Sequence, residues 1–426
     1  MTAPKLIRGH LVYNKDPKHL KSCKGGCIYA EDGIIKAVLS AEEGAQMAQK
    51  GVELEDFGEK LILPGLVDLH VHAPQYTFRG TGMDLELLDW LARYTFPEEE
   101  RYADLGYARA AYGLFVEGLK RGGTTRACVF ATTHVPATLL LMELLEESGL
   151  GAYVGKVSMD RDCPDGLRET TGEGLDAVER WLEAWKGGPM VRPILTPRFI
   201  PSCTDTLLAG LGRIRRELCL PVQSHLSENP AEVELVKALC PWAESYGHAY
   251  AAHGLFGEPS CPAIMAHCVY SGPAETDLMA EHGVFVAHCP QSNTNLASGI
   301  APVRTYLDRG IPVGLGTDVA GGHSLSMFRA VTDAIQVSKL RWRLVDRELE
   351  PLSFPEALWL GTRGGGAFFG KVGLFEPGFV CDLLVLDDSG LPAPRPLTAE
   401  ERLERLFYLE KDENIAAKYV AGRRIL

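Results

Sequence analysis

The sequence predicts an α/β protein built on a (β/α)8 barrel, with short β-strands at both ends of the chain. Eight apolar runs of strand length lie between residues 61 and 317, and amphipathic stretches separate most of them, which is typical of β-α units with a parallel sheet. Histidine or aspartate stands at the end of several runs. Because the catalytic residues of such barrels lie at the carboxyl ends of the strands, the fold and these residues support one another.

The two ends of the chain differ in character from its middle. LIRGHLVY and GCIYAEDGIIKAVL, with a turn signal at Asp32-Gly33, predict short strands near the amino terminus. FVCDLLVLD and KYVAGRRIL predict further strands near the carboxyl terminus, after the turn signal at Pro377-Gly378. The alternation of apolar runs and helical patterns is confined to the stretch from about residue 61 to 375.

The barrel needs eight strands, and eight candidates follow one another along the chain. Stretches between them, such as LDAVERWLEAW and EVELVKALCPWAESYG, have the apolar spacing of amphipathic helices. The candidate strands, in order, are LILPGLVDLHVH, TTRACVF, GAYVGKVS, MVRPILTP, LPVQSH, PAIMAH, GVFVAH and IPVGLGT.

The first barrel strand ends in a pair of histidines, His70 and His72. Side chains alternate between the two faces of a strand, so residues two apart point the same way and can hold one ion from inside the barrel. The alternative is a pair of polar residues on a half-exposed strand. The H-x-H pair alone does not decide between the two.

Three further residues of metal-ligand type end later strands. His225 ends LPVQSH, His267 ends PAIMAH and Asp318 follows IPVGLGT. Each alone has a simpler role, as a hydrogen-bonded strand-end histidine or as a cap of the next helix. Together, at the ends of strands 1, 5, 6 and 8, they predict one metal site at the mouth of the barrel. Nitrogen and carboxylate ligands without a thiolate suit a catalytic Zn²⁺ with an open position, while Fe²⁺ or another divalent ion stays open.

Composition narrows the class of protein. Hydrophobic residues make up 46% of the 426 residues and charged residues 23%, which is ordinary for a soluble protein with one large and one smaller domain. The net charge of −13 argues against a nucleic-acid partner, since binding phosphates requires a basic surface. The sequence has no apolar run of about 20 residues, so we expect no membrane span.

The cysteines and the first residues favour the cytoplasm. The 11 cysteines are scattered, and MTAPKLIRGH lacks the apolar core of a secretory leader. We therefore expect reduced thiols in a cytoplasmic protein. Cys268 and Cys289, which follow strand-end histidines, are expected to be structural thiols near the site.

Seven segments between residues 64 and 322 resemble the amidohydrolase superfamily and, within it, the guanine deaminase family. H-x-H and the last aspartate are typical of the whole superfamily, whereas HAPQY, YTFPEE, TPRF and SHLSEN together are much more specific. The segments are PGLVDLHVHAPQY, YTFPEEERY, TPRF, SHLSEN, AHCVY, HCPQSN and GLGTDVAGG. The resemblance implies hydrolytic deamination of guanine to xanthine and ammonia by a metal-activated water.

The resemblance also implies a role for each matching residue of the metal site. Glu228 would be the proton shuttle. Asp318 would take the proton of the water, and His267 would lie beside that water, either as a ligand or as a hydrogen-bond partner. One Zn²⁺ per chain is implied, with Fe²⁺ as the alternative. The implied ligands are His70, His72, His225 and Asp318.

The remaining matches would recognise the purine. Gln75 would hydrogen-bond one edge of it, Arg198 would bind the carbonyl oxygen, and Phe199 would stack on or wall the ring. The alternative for Arg198 and Phe199 is a salt bridge and a core position. The full set implied to touch the substrate is His72, Gln75, Arg198, Phe199, Glu228, His267 and Asp318.

Several further expectations concern the surroundings of this site. MDLELLDWLARYTFPEEERY would form a lid-like excursion in which Trp90 or Phe96 covers the purine. Lys156, the one residue that keeps a two-metal site open, is expected to be structural, and His288 is expected to lie near the site. The resemblance further implies a small β-sandwich composed of residues 1–64 and 376–426, a barrel of residues 65–375, and a homodimer.

Two other functions stay open at this point. The first is a deaminase or hydrolase of the same superfamily acting on an oxidised guanine, a pterin, a triazine or a modified adenine. The second is a barrel that has lost its metal and serves only for binding. Retention of all five ligand positions and Glu228 speaks against the second.

Overall fold

The computed structural model describes residues 4–409 and 414–426, with a parallel barrel in the middle of the chain and one mixed sheet built from both ends. Seventeen strands lie in the described residues. Numbered along the chain, they are β1 (Lys5–Asp16), β2 (His19–Glu31), β3 (Ile34–Leu39), β4 (Glu53–Pro64), β5 (Leu66–His72), β6 (Thr124–Phe130), β7 (Gly151–Gly155), β8 (Val157–Ser158), β9 (Val191–Pro193), β10 (Thr196–Pro197), β11 (Val222–Leu226), β12 (Ala263–His267), β13 (Phe285–His288), β14 (Val313–Leu315), β15 (Leu383–Leu386), β16 (Ile415–Val420) and β17 (Arg423–Arg424).

Fifteen α-helices lie between these strands in the described residues. Four of them begin with a capping box, in which a Ser, Thr or Asn side chain and a Glu three residues on satisfy the first backbone N–H groups. The helices are α1 (Ala41–Gln49), α2 (Leu87–Trp90), α3 (Phe96–Glu100), α4 (Leu105–Arg121), α5 (Val135–Ser148), α6 (Thr171–Ala184), α7 (Asp205–Leu218), α8 (Pro230–Leu239), α9 (Tyr246–Ala252), α10 (Pro273–His282), α11 (Pro290–Asn295), α12 (Val303–Asp308), α13 (Met327–Leu344), α14 (Phe354–Trp359) and α15 (Ala399–Leu409).

All eight predicted barrel runs contain strands, and they form a closed parallel barrel. β5, β6, β7 and β9 pair in that order, as do β11, β12, β13 and β14. The backbone N–H groups of Leu195 and Gln223 donate to the carbonyls of Pro221 and Leu195, both at 2.9 Å, which joins the two halves at one seam. At the other seam Asp318 N–H donates to the His70 carbonyl at 2.8 Å. The (β/α)8 prediction is confirmed.

The barrel is filled by apolar side chains rather than left as a pore. Residues from β5, β6, β12 and β13 contact one another although several of these strands are not neighbours in the sheet, so the contacts run through the interior. This cluster includes Val67, Leu69, Cys128, Ile194, Ile264, Ala266, Ala287 and Phe368. A larger cluster packs the outer faces of the strands against the surrounding helices.

The terminal strands form a single curled sheet in the order β17-β16-β15-β4-β1-β2-β3. One apolar cluster contains Ile28 and Ile35 from one end of this order and Val385 and Tyr419 from the other, so the two halves of the sheet face each other. The prediction that both termini build one small β-domain is confirmed. The domain boundaries at residues 64–65 and 375–376 stay a prediction.

The cysteines depart from the expectation of reduced thiols at one place. Cys219 and Cys261 form a disulfide with their Cα atoms 5.8 Å apart. They meet because each lies shortly before one of two adjacent parallel strands, whose first residues Val222 and Ala263 pair. The other nine cysteines are free. Among the described residues, no helix combines the length and apolarity needed to span a membrane.

Candidate active site

The four predicted ligands converge at the carboxyl ends of the barrel strands. His70 and His72 come from β5, His225 from β11, and Asp318 follows β14. The Nε2 atom of His72 lies 3.2 Å from that of His70 and 3.2 Å from that of His225. Asp318 Oδ1 lies 3.1 Å from His70 Nε2 and 3.4 Å from His72 Nε2. Three imidazole nitrogens and one carboxylate oxygen therefore face a common point.

The chemistry of this donor set fits a divalent cation. Burial lowers the pKa of His70, His72 and His225, which favours the neutral imidazoles that bind metals. The Nδ1–H of His225 donates to the Arg198 carbonyl at 2.6 Å, which leaves the unprotonated Nε2 as the atom that can bind a metal. The ligand atoms of the three histidines lie within 4.8 Å of one another, so these residues could hold a metal ion.

His267 lies beside this group, between two carboxylates. Its Nε2 is 3.7 Å from Asp318 Oδ2 and 3.4 Å from Glu228 Oε2. Its Nδ1–H donates to Asn293 Oδ1 at 2.8 Å, so Nε2 is free to accept a hydrogen bond. Sequence reasoning missed Asn293, although it lies in the HCPQSN segment that carried the resemblance. The arrangement leaves His267 able to act either as a ligand or as a hydrogen-bond partner.

Glu228 is held close to the ligands by the turn that follows β11. Its backbone N–H donates to Glu232 Oε2 at 2.9 Å, and Ser298 Oγ donates to its Oε1 at 3.3 Å. Burial, followed by the charges of Asp318 and Glu232, raises the pKa of Glu228 well above its usual range. The protonated carboxyl is thereby favoured, and a protonated carboxyl can donate a proton to a bound molecule.

Several residues at this site have left-handed backbone conformations. The φ angles are 72° for His267, 46° for Asp318 and 47° for Ser227. Non-glycine residues adopt this region rarely and at some cost in energy. The conformations turn the chain sharply at the strand ends.

A cavity opens onto the ligand group. Trp90, Leu87 and Leu91 form one wall, and Phe199 and Leu296 contribute further apolar surface. The predicted excursion thus borders the cavity, which Trp90 rather than Phe96 lines, and its role as a lid over the substrate stays a prediction. The polar lining residues are His72, Gln75, Arg198, His225, Glu228, His267 and Asp318.

Arg198 lines the cavity and also forms the salt bridge that was the alternative to substrate binding. Its partner, which sequence reasoning missed, is Glu99, at 2.5 Å from Nη1 to Oε2 and 3.2 Å from Nη2 to Oε1. Gln75 Nε2 donates to the same carboxylate at 2.9 Å, and Gln75 Oε1 accepts from the Ala320 N–H at 3.0 Å. The sequence offers no signal that separates Glu99 from the neighbouring glutamates at positions 98 and 100.

Comparison with known proteins agrees with this geometry. The model of the amidohydrolase family matches residues 61–425. The chain belongs to the amidohydrolase family. A guanine deaminase of Dictyostelium discoideum is 37% identical over 99% of this amidohydrolase and 98% of the relative. The guanine deaminase of Homo sapiens is 38% identical over 99% and 93%.

A solved structure gives the same result. The guanine deaminase from C. acetobutylicum with bound guanine in its active site superposes with a TM-score of 0.95. It is 43% identical, and the match covers 99% of this amidohydrolase and 100% of that chain. The predicted resemblance to the guanine deaminase family is therefore confirmed.

Three further residues singled out in the sequence of this amidohydrolase lie outside the cavity lining. Lys156 is buried, donates to the Val157 carbonyl at 3.2 Å and pairs with Glu169. His288 is buried at the end of β13, near the site but outside the cavity lining. Burial raises the pKa of the Cys289 thiol well above its usual range, and its Sγ lies 3.4 Å from the Ala287 carbonyl oxygen. Cys289 also lies close enough to His70 and Asp318 to hold a metal ion with them, so its structural role stays a prediction.

Proposed function

We propose that this amidohydrolase deaminates guanine hydrolytically to xanthine and ammonia. The observation that carries the proposal is the joint lining of one cavity by the ligand group, a buried carboxyl and the polar pair Arg198 and Gln75. The guanine deaminase relatives and the guanine-bound structure similar to this chain support the choice of substrate.

We propose one Zn²⁺ per chain, held by His70, His72, His225 and Asp318, with Fe²⁺ as the alternative. Histidine nitrogens and a carboxylate are the ligands that a catalytic zinc site uses. When bound, the metal supplies a Lewis acid and lowers the pKa of water, which makes a nucleophile available near neutral pH. The group of buried, neutral imidazoles supports this assignment.

The protons are moved by carboxylates of the chain. Hydrolysis adds water at C2 of guanine and expels the amino group as ammonia, so one proton must leave the water and others must reach ring N3 and the departing nitrogen. Asp318 takes the proton of the water, and His267, whose Nε2 lies 3.7 Å from Asp318 Oδ2, lies beside it. Glu228, whose protonated form is favoured, gives its proton to N3. As the amine leaves, it takes the proton held by Asp318, and the proton of the new C2 hydroxyl returns to Glu228.

The substrate is held by one polar edge and apolar faces. Arg198 donates N–H groups to the carbonyl oxygen at C6, and Gln75 hydrogen-bonds a neighbouring edge atom. Phe199 and Trp90 wall the ring, while His72, His267 and Asp318 lie near the reacting carbon. A purine with an amino group at C6 leaves the donors of Arg198 unpaired, which can lower turnover by about 10⁴-fold.

The second candidate is deamination of another heterocycle, such as an oxidised guanine, a pterin, a triazine or a modified adenine. The Gln75, Arg198 and Phe199 set favours an unmodified guanine edge over these. A metal-free binding function has less support, since it does not explain why the complete set of possible metal ligands is present.

We further propose that the chain works as a cytoplasmic homodimer. Nine of its cysteines are free thiols, which supports a reducing compartment, whereas the Cys219–Cys261 disulfide is the observation against it. Light scattering of the purified protein tests the dimer, and fractionation of cells tests the location.

Turnover of a panel of heterocycles by the purified protein tests the proposed function. We expect rapid formation of xanthine and ammonia from guanine, with a kcat/KM well above that for 8-oxoguanine, pterins, triazines and adenine. If the protein prefers another member of the panel, the proposed substrate is wrong, while the assignment of the active site still holds.

A further inference from the structure

Glu99 lies at the point where the lid meets the substrate edge of the cavity. It belongs to α3, in the excursion that follows β5, and its exposed fraction is 2%. Glu98, next to it, is half-buried and accepts a hydrogen bond from Thr77 Oγ1 at 2.9 Å and another from Tyr107 OH. Of these two adjacent lid acids, only Glu99 contacts residues that line the cavity.

The Glu99 carboxylate accepts three hydrogen bonds from the two side chains proposed to read the purine. Two come from Arg198, at 2.5 and 3.2 Å, and one comes from Gln75 Nε2, at 2.9 Å. Phe96, one helical turn earlier, places its ring 5.0 Å below the Arg198 guanidinium. The lid therefore holds Arg198 by both its edge and its face.

These contacts determine which hydrogen-bonding groups of Gln75 and Arg198 remain available to a ligand. Gln75 is held from both ends, because its Oε1 accepts from the Ala320 N–H and its Nε2 donates to Glu99. Its amide cannot flip without losing both bonds. Arg198 uses two of its five N–H donors on Glu99 and keeps three for other partners.

We propose that Glu99 is a positioning residue that aims Arg198 and Gln75 at the carbonyl edge of the purine and thereby sets the preference for a carbonyl over an amino group at C6. The proposal rests on the proposed function. Glu99 also balances the charge of the buried Arg198, so a neutral purine meets a pocket edge that is already paired. Without the carboxylate, Arg198 loses its anchor and the Gln75 amide is held only through the Ala320 N–H, so its orientation is less firmly fixed.

The test compares wild type, Glu99→Gln and the matched control Glu98→Gln on two substrates. Guanine and 2,6-diaminopurine share the amino group at C2 and differ at the C6–N1 edge, which is a carbonyl beside N1–H in guanine and an amino group beside an unprotonated N1 in 2,6-diaminopurine. We expect Glu99→Gln to lower kcat/KM for guanine by about 10²-fold, the loss that follows a small misplacement of binding groups. The ratio of guanine to 2,6-diaminopurine turnover should fall by about tenfold or more, while Glu98→Gln keeps the wild-type ratio.

Glu99→Asp keeps the charge and serves if the glutamine variant fails to fold. Its shorter side chain should lower the same ratio by a smaller factor than a complete loss of the carboxylate. A wild-type ratio in a folded Glu99 variant, of either kind, would overturn the positioning role and leave the proposed function intact. Failure of the wild-type protein to convert guanine would overturn both together.

Discussion

The buried carboxylate of Asp68 accepts two hydrogen bonds from Thr317, one from its backbone N–H at 3.1 Å and one from its hydroxyl at 2.5 Å. Asp68 also accepts from the backbone N–H of His70 at 3.1 Å. Since Asp318 follows Thr317 directly, one carboxylate ties together the two chain segments that carry proposed ligands. The first and last strands of the barrel are thus locked in register where the site needs them.

Replacement of Asp68 by Asn should weaken metal binding. The amide keeps the size of the side chain but supplies only one acceptor oxygen, so His70 and Asp318 lose part of their orientation. Loss of such supporting hydrogen bonds typically lowers metal affinity by about 10- to 100-fold. Competition with a chromophoric zinc chelator measures the affinity of the wild-type and variant proteins.

The control for Asp68 is Asp382→Asn. Asp382 is also buried, but it pairs with Arg126 and accepts from the Ala421 N–H, away from the site. Its replacement should lower the stability of the fold and leave zinc affinity unchanged. Equal zinc affinity in the Asp68 variant and the wild type would contradict the claim that Asp68 orients the metal ligands.

Replacement of Glu228 by Gln should lower kcat for guanine by several orders of magnitude. The variant keeps the shape of the side chain and loses the proton that the proposed shuttle gives and takes back. Glu234→Gln, on the following helix and exposed, is the matched control and should have wild-type kcat. A loss of only a few fold in Glu228→Gln, with zinc content unchanged, would assign the proton transfer to another group.

Replacement of Asn293 by Ala should lower kcat for guanine by about 10²-fold, because His267 loses the partner that orients its ring. Asn295→Ala, in the same helix, removes a bond to the Gly321 carbonyl and should leave kcat nearly unchanged. Steady-state kinetics of the two variants provide the comparison. Similar kcat values in both would show that the orientation of His267 does not limit the reaction.

Lys418 makes the stability of the protein depend on pH. Its Nζ donates to the carbonyls of Leu119 and Thr124 at 2.8 and 2.9 Å, and burial lowers its pKa to about 7. The pKa of lysine in an unfolded chain is about 10.4, so between these values the unfolded state binds the proton and the folded state does not. The destabilisation is full below pH 7 and disappears above about pH 10.4.

The free energy of unfolding should therefore rise with pH in this window, with a contribution from Lys418 of up to about 1.4 kcal/mol per pH unit. Lys418→Met removes the contribution and leaves the other titrating groups in place. Urea unfolding of both proteins at pH 7, 8.5 and 10 measures the difference. Parallel pH profiles for the two proteins would contradict the low pKa of Lys418.

The sequence predicts the barrel well because its signals are local. Each strand is a short apolar run, and His70 and His72 share a face by their spacing alone. The convergence of His225 and Asp318 on that pair then follows from barrel geometry, which brings the carboxyl ends of all strands to one side. The donor set could therefore be proposed without knowledge of any distance.

The contacts that support the site could not be predicted in the same way. Glu99 stands in a run of three glutamates, and only the docking of α3 decides which one points inward. The disulfide joins Cys219 and Cys261, which are 42 residues apart along the chain, and depends on the adjacency of β11 and β12. Such contacts are set by the packing of distant segments, and spacing in the sequence carries little information about them.

Zinc titration of metal-depleted protein tests most directly the claim that this is a metal-dependent guanine deaminase. Ammonia release from guanine and bound zinc are measured on the same samples. We predict that removal of the metal abolishes turnover and that activity returns in proportion to zinc, with saturation at one ion per chain. Full conversion of guanine by protein shown to contain no metal would contradict the account, as would one bound zinc per chain without any release of ammonia.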